Sequence, residues 1–291
     1  MSYTFTNGKD LLKLCHTENI TIGEVMLRRE IELFGITRNA ALQKMNQSFE
    51  IMRNAVHDAL FVKVKTMGGL IGGEASKVNG LRLDERNICG SVISKAVAYS
   101  MGVLEINASM GLIVAAPTAG SSGVIPGVFF ALQEELGFSD DEIIMALFSA
   151  GAIGYIISRN ATVAGAEGGC QAEIGSASAM AAAAATELIG GSPEQALSAA
   201  ADAISNILGL VCDPIGGLVE APCQKRNAMG ASNAIICAEI ALSGVMGIIP
   251  FDEIVDAMYR VGKSLPYELR ETALGGIAAT PTACSLCSGC R

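Results

Sequence analysis

Three cysteines sit in unusual settings in the second half of the chain: Cys170 in Ala166-Glu167-Gly168-Gly169-Cys170-Gln171, Cys212 in Cys212-Asp213-Pro214, and Cys223 in Pro222-Cys223-Gln224. They stand 42 and then 11 residues apart. A further group, Cys284, Cys287 and Cys290, ends the chain just before Arg291. Cysteine usually occupies apolar runs, whereas the first three neighbour glycine, proline and acids. Three thiolates suffice to hold an iron–sulfur cubane and leave one iron with an open position. Ordinary buried cysteines are the competing reading, and it suits Cys15, Cys89 and Cys237 better, because those lie in helical context and read as small core residues.

A second stretch with chemical potential is Thr118-Ala119-Gly120-Ser121-Ser122-Gly123. Its hydroxyls and backbone N–H groups can meet a carboxylate, especially if a helix starts at Val124. A turn between apolar segments is the alternative.

The elements that must hold these residues read as helices. Thr21-Ile22-Gly23-Glu24 and Ser139-Asp140-Asp141-Glu142 have the form of capping boxes, with Ile20/Val25 and Phe138/Ile143 as hydrophobic staples. Ser192-Pro193-Glu194-Gln195 adds proline at a first helical position, and Asp252 reads as the cap of a helix through Tyr259. Met45, Phe49, Met52, Val56 and Leu60 recur at helical spacing and form a core stripe. Ala177 to Ile189, with five consecutive alanines, reads as a central helix that neighbours can approach closely. Period-two alternation is nearly absent; only Leu112 to Ala115 passes as a short buried strand. Glycine clusters at 68–73, 111–127, 165–175 and 216–217 mark backbone in special conformations. The expectation is an all-α fold in one helical domain over residues 1–291, with a cysteine-rich tail over 283–291.

Composition excludes several classes. A formal charge of -9 argues against a nucleic-acid partner, since phosphate binding wants a basic surface. Hydrophobic residues make up 51% of the chain, which invites a membrane reading. The candidate spans argue against one: Ala231 to Ile249 carries Glu239, Glu142 to Ile157 is short, and Lys/Arg-rich flanks are missing. Met1 to Lys13 lacks the apolar core of a secretory signal, so the nine cysteines are expected to be reduced in a cytoplasm.

The run Arg159-Asn160-Ala161-Thr162-Val163-Ala164-Gly165-Ala166-Glu167-Gly168-Gly169-Cys170-Gln171-Ala172-Glu173-Ile174-Gly175, with Ala116-Pro117 ahead of the Thr118 loop and the Cys212 and Cys223 motifs behind, resembles the α chain of bacterial iron–sulfur L-serine dehydratases. The likeness runs from about Gly68 to Thr282. It implies that Cys170, Cys212 and Cys223 are ligands of a [4Fe-4S] cluster acting as a Lewis acid on L-serine. It also implies a lyase yielding pyruvate and ammonia, in which Thr118, Ala119, Gly120, Ser121 and Ser122 bind substrate.

Cys290 matches the place of a tail cysteine that, in single-chain relatives, folds onto the fourth iron; the C-x2-C-x2-C spacing of the tail also suits a ferredoxin-type site. The same elimination with pyridoxal phosphate would need a Schiff-base lysine and a phosphate cradle. Lys77, the lysine beside Gly72-Gly73, is a weak signal for that and fits better as a partner of the substrate carboxylate, or as a solvated lysine. Asn160 is expected to line the same cavity, more so than Arg159. Only His16 and His57 are present, and neither reads as catalytic. The family places histidine-rich substrate motifs in a β part, so a β chain and a hetero-oligomer are expected. A cysteine desulfidase on the same domain and an iron–sulfur electron carrier are the rival functions.

Overall fold

Helices begin where serine offers its hydroxyl to exposed N–H groups. Ser139 accepts from the Glu142 amide while Glu142 accepts from the Ser139 amide at 2.7 Å; Ser192 and Gln195 repeat the exchange with Pro193 at the first position. Both boxes satisfy donors that a helix start leaves bare. At Thr21 only half the box forms. Its hydroxyl accepts from Glu24 N, but the Glu24 carboxylate is drawn to Arg28 and Arg38, and Glu187 from a distant helix accepts from Ile22 N and Gly23 N instead. Asp252 is not the cap of its own helix: the helix starts at Phe251, and the Asp252 carboxylate accepts from the Gly8 and Lys9 amides, capping the first helix of the chain.

The computed structural model describes residues 2–62, 64–84 and 86–286. In chain order its α-helices are α1 (Gly8–Glu18), α2 (Ile22–Phe34), α3 (Arg38–Phe61), α4 (Glu74–Leu83), α5 (Gly90–Ala108), α6 (Val124–Leu136), α7 (Asp140–Asn160), α8 (Gly165–Gly168), α9 (Cys170–Leu188), α10 (Pro193–Ser205), α11 (Cys223–Leu242), α12 (Phe251–Ser264) and α13 (Pro281–Leu286). The fold is all-α in a single domain. Residues 112–115 run without a partner strand, and the only ladder element among the described residues is an isolated bridge between Cys212 and Arg270. A four-residue apolar run becomes a strand only where a second backbone edge lies alongside, and none does here.

α9 is the central helix. Its Ala181–Ala185 run is buried, and α6, α7, α10 and α11 pack around it, the small side chains allowing close approach. Phe49, Met52 and Val56 of α3 are buried as the stripe predicts, with Met45 and Leu60 at its margins. α7 is long and apolar enough to cross a membrane by length and composition, but here it lies against α2, α3 and α9. Cys15 and Cys237 are core residues, whereas Cys89 is exposed at the N-terminal edge of α5. The expected core role fails for it because it caps α5 from outside, on the surface next to the exposed Ile88.

Candidate active site at three buried cysteines

Cys170 and Cys223 are the first residues of α9 and α11, and Cys212 lies on the segment between α10 and α11. Their exposures are 2%, 6% and 3%, so three thiols from three elements are withdrawn from solvent together. Backbone bonds fix the third: Cys212 N donates to Leu269 O at 2.9 Å, and Glu271 N donates to Cys212 O at 2.7 Å. Gln171 fixes the first. Its amide N donates to Leu210 O, its side-chain oxygen accepts from Gly209 N at 2.9 Å, and its Nε2 donates to Gly168 O and Met258 O. The chain ahead of Cys212 is thereby tied to the first turn of α9.

Burial pushes all three thiols up, Cys223 to about 12, and each also feels the charge of its neighbours. Protonated thiols in such a place are inert; a metal that displaces the protons changes that. Two features fit the group to thiolates. Cys170 and Cys223 lie at helix N-termini, where the helix dipole favours negative charge. The Arg226 guanidinium, which faces Cys170 and partly offsets that rise, is largely buried and ion-paired to Asp213 at 2.8 Å, with a further bond to Val211 O. All three thiols are free. No three Cys, His, Asp or Glu side chains among the described residues stand close enough to share one metal ion.

The Thr118 loop meets the cysteines through two residues. Asn227, fully buried on α11, donates to Gly120 O at 2.7 Å and to Cys223 O at 3.0 Å, and accepts from Gly123 N at 3.1 Å. Glu173, one turn into α9 from Cys170, accepts a short hydrogen bond from the Thr118 hydroxyl. Glycine leaves room for that carboxylate at Gly120 and for the Cys212 thiol at Gly165. A Cβ on Gly120 would lie 2.6 Å from Glu173 Oε1; one on Gly165 would lie 3.0 Å from Cys212 Sγ, 3.3 Å from Glu271 Oε2 and 3.5 Å from Glu173 Oε2. Burial pushes the Glu173 carboxyl up; the Thr118 bond opposes this and the Glu271 charge adds to it. Glu271 has a left-handed backbone, φ 63°, which is uncommon outside glycine and clusters at functional sites.

Within the loop, Ser121 and Ser122 are buried and bonded internally, to Thr118 and to Ala119 O, so they shape the loop. Ala119 and Gly120 have amide N–H groups without an acceptor among the described residues, and α6 starts at Val124 as expected. Asn160 and Lys77 are not brought to the cysteines. The Asn160 amide donates to Thr6 O and Ile156 O, clasping the N-terminal segment to α7. Lys77 is exposed on the wall of a separate cavity of about 300 Å³ beside Leu60 and Phe61. Cys287 and Cys290 lie outside the described residues.

Sequence reasoning passed over Glu173, Asn227, Arg226 and the carboxylates that hold the glycine-rich loop at 66–75. Glu220 accepts from Gly68 N, Leu70 N and the Thr66 hydroxyl, and Glu105 accepts from Gly73 N, Ala75 N and Gln224 Nε2. A charged residue inside an otherwise small or apolar stretch was the available signal for Glu105 and Glu173.

Fold and site together define a helical protein with a buried three-thiol centre faced by a hydroxyl-bearing loop and a carboxylate. Residues 17–278 match the family described as "Serine dehydratase alpha chain", and the chain belongs to that family. It is 48% identical over 278 residues to the probable L-serine dehydratase alpha chain of Bacillus subtilis, covering 96% of this chain and 92% of that one. To the L-serine dehydratase alpha chain of Peptoniphilus asaccharolyticus it is 44% identical, covering 94% of each. The longer L-serine dehydratase TdcG of Escherichia coli is 35% identical, and there the match takes in 95% of this chain but 62% of the relative.

Proposed function

We propose that this chain is the α subunit of a cytoplasmic L-serine dehydratase, in which Cys170, Cys212 and Cys223 hold a [4Fe-4S] cluster with one position left to the substrate. The observation that carries the reading is three buried, free thiols that feel one another's charge, in a chain of this family. When bound, the cluster supplies Lewis acidity at the serine hydroxyl, a poor leaving group by itself.

The chain's own residues do the rest. The free N–H groups of Ala119 and Gly120 offer bonds to the serine carboxylate, and the Ser121 and Thr118 hydroxyls keep that loop in shape. Arg226 offsets negative charge at the thiolates. Burial of the centre excludes bulk water, which strengthens these interactions. Loss of water from serine leaves aminoacrylate, which tautomerises to an imine and hydrolyses to pyruvate and ammonia.

The names of the two long-aligned relatives as alpha chains, and the greater length of the Escherichia coli protein, support a β chain as partner in a hetero-oligomer. Anaerobic preparation followed by iron and sulfide analysis tests the proposal. About four irons per chain and a spectral change on adding L-serine are expected. Iron-free protein, or a Cys212→Ser variant that deaminates serine at the native rate, overturns it.

A further inference from the structure

A cavity of about 340 Å³ lies between α2, α3 and α7, and none of its walls belongs to the three-thiol centre. Its lining is mainly apolar: Met26, Ala41 and Phe148 are buried, Ile36 and Met45 half-buried, and Phe34 exposed. Two charged side chains share it, Glu30 of α2 and Lys44 of α3. Small-molecule sites have this make-up, an apolar hollow with a few polar groups that fix the ligand's orientation.

Gly151 separates a built hollow from loose packing. It lies in the interior of α7 and lines the cavity, although glycine weakens a helix relative to alanine. The next glycine of that helix, Gly154, is explained by a neighbour, because a Cβ there would lie 2.8 Å from Met180 Cε. A Cβ on Gly151 would meet nothing nearer than Met26 Cε at 3.9 Å. Alanine fits at 151, so packing does not call for glycine there. Its effect is to keep the cavity open.

The two charges are incompletely matched within the protein. Glu30 Oε1 has the Arg29 guanidinium at 3.4 Å, but that group also stacks on the Tyr155 ring at 3.9 Å, and Oε2 has no hydrogen-bond donor among the described residues. Burial pushes the Glu30 carboxyl up, and the charges of Arg29 and Lys44 only partly offset this. Lys44 is exposed and forms no ion pair among the described residues. A cation brought to Glu30 and an anion brought to Lys44 would complete both.

We propose that this cavity binds a free apolar α-amino acid, with its ammonium on Glu30, its carboxylate on Lys44 and its side chain in the hollow beside Gly151. Such a molecule carries opposite charges on neighbouring positions and one apolar branch from the carbon that joins them, which matches a lining of one carboxylate, one ammonium and an apolar wall. L-Serine leaves that wall unfilled and is disfavoured by the same chemistry. The occupant is therefore a different molecule from the one that meets the cysteines, and the site does not depend on iron.

The test uses the full chain, titration calorimetry and thermal unfolding, with L-leucine, L-isoleucine, L-methionine and L-phenylalanine as probes. At least one is expected to bind saturably and to raise the melting temperature. For the probe that binds best, the analogue without its ammonium and the analogue without its carboxylate (4-methylpentanoic acid and 3-methylbutylamine for leucine) should bind at least about tenfold more weakly, as should L-serine. Absence of saturable binding by every probe up to about 10 mM overturns the proposal, and so does binding of either analogue as tight as that of the amino acid. Gly151→Ala is expected to raise the melting temperature of the free chain while weakening the best probe by about tenfold, because the methyl group strengthens the helix and occupies the hollow. Glu30→Gln should weaken it by about tenfold as well, with iron content and serine turnover in its absence unchanged. Native affinity in either variant, or a destabilised Gly151→Ala chain, overturns the proposal.

Discussion

Asp213 and Arg226 form an ion pair at 2.8 Å that joins the residue after Cys212 to the first turn of the helix begun by Cys223. Both side chains are nearly withdrawn from solvent, at 3% and 12% exposure, and Asp213 also accepts from Ile277 N at 2.6 Å. Removing one partner of such a pair strands a buried charge, which costs about 3–5 kcal/mol. Arg226→Ala is therefore expected to lower the denaturant midpoint by an amount of that order and to reduce iron retention. Equilibrium unfolding with parallel iron analysis checks it, and an unchanged midpoint counts against the pair as a brace of the centre.

The two glycines beside Glu173 predict a split outcome. In Gly120→Ala the new methyl meets the carboxylate, and in Gly165→Ala it meets Cys212 Sγ first. Overpacking of this kind costs about 1–3 kcal/mol. Gly120→Ala should keep its iron and lose activity, whereas Gly165→Ala should load iron poorly. Iron content measured beside kcat for the two variants separates them; equal iron in both would show that the Gly165 gap does not serve the thiol.

Iron-free chain should become less stable with rising pH. The buried thiols ionise later in the folded chain than the ordinary value of 9.0, with Cys15, Cys223 and Cys237 at about 12. Between pH 9 and 12 the unfolded chain therefore binds fewer protons than the folded one, and stability falls as pH climbs, by about 1 kcal/mol per unit for each such thiol. Below pH 9 this contribution is fully present. Urea unfolding under reducing conditions at pH 8, 9 and 10 measures the slope; a flat profile would contradict the burial of these thiols. The same protonation predicts proton uptake by the buffer when iron is loaded near neutral pH, readable by calorimetry in two buffers of different ionisation heat.

What could be read in the sequence was local. Ser139, Ser192 and Val124 mark helix starts because capping and helix propensity act within one turn, and the small-residue run at Ala181–Ala185 foretold a crowded central helix. Cys170, Cys212 and Cys223 stood out because glycine and proline neighbours are informative without knowledge of the fold. Where the reading fell short, the missing term was tertiary. Asp252 has every mark of a cap but serves another helix, 244 residues away from Gly8. Asn160 sits ten residues before Cys170, yet the last turn of α7 directs its amide to Thr6. Glu173, Asn227 and Glu220 act on loops more than 50 residues distant, through bonds that no spacing rule encodes.

Glu220 offers the sharpest check of how the glycine-rich segment is held. Its two oxygens take three donors, Gly68 N at 2.6 Å, Leu70 N at 2.8 Å and the Thr66 hydroxyl at 3.1 Å, and the residue itself lies three positions before Cys223. In Glu220→Ala those donors lose their acceptor, at about 1–3 kcal/mol for each that stays buried. Because the donors all lie between residues 66 and 70, the loss should appear as local opening before global unfolding. Limited proteolysis is expected to cut the variant within 64–73 while α9 remains protected, and Glu220→Gln, which keeps one acceptor oxygen, should fall between variant and native chain. If both variants resist cleavage as well as the native chain does, the segment is held by its apolar contacts and the carboxylate is dispensable.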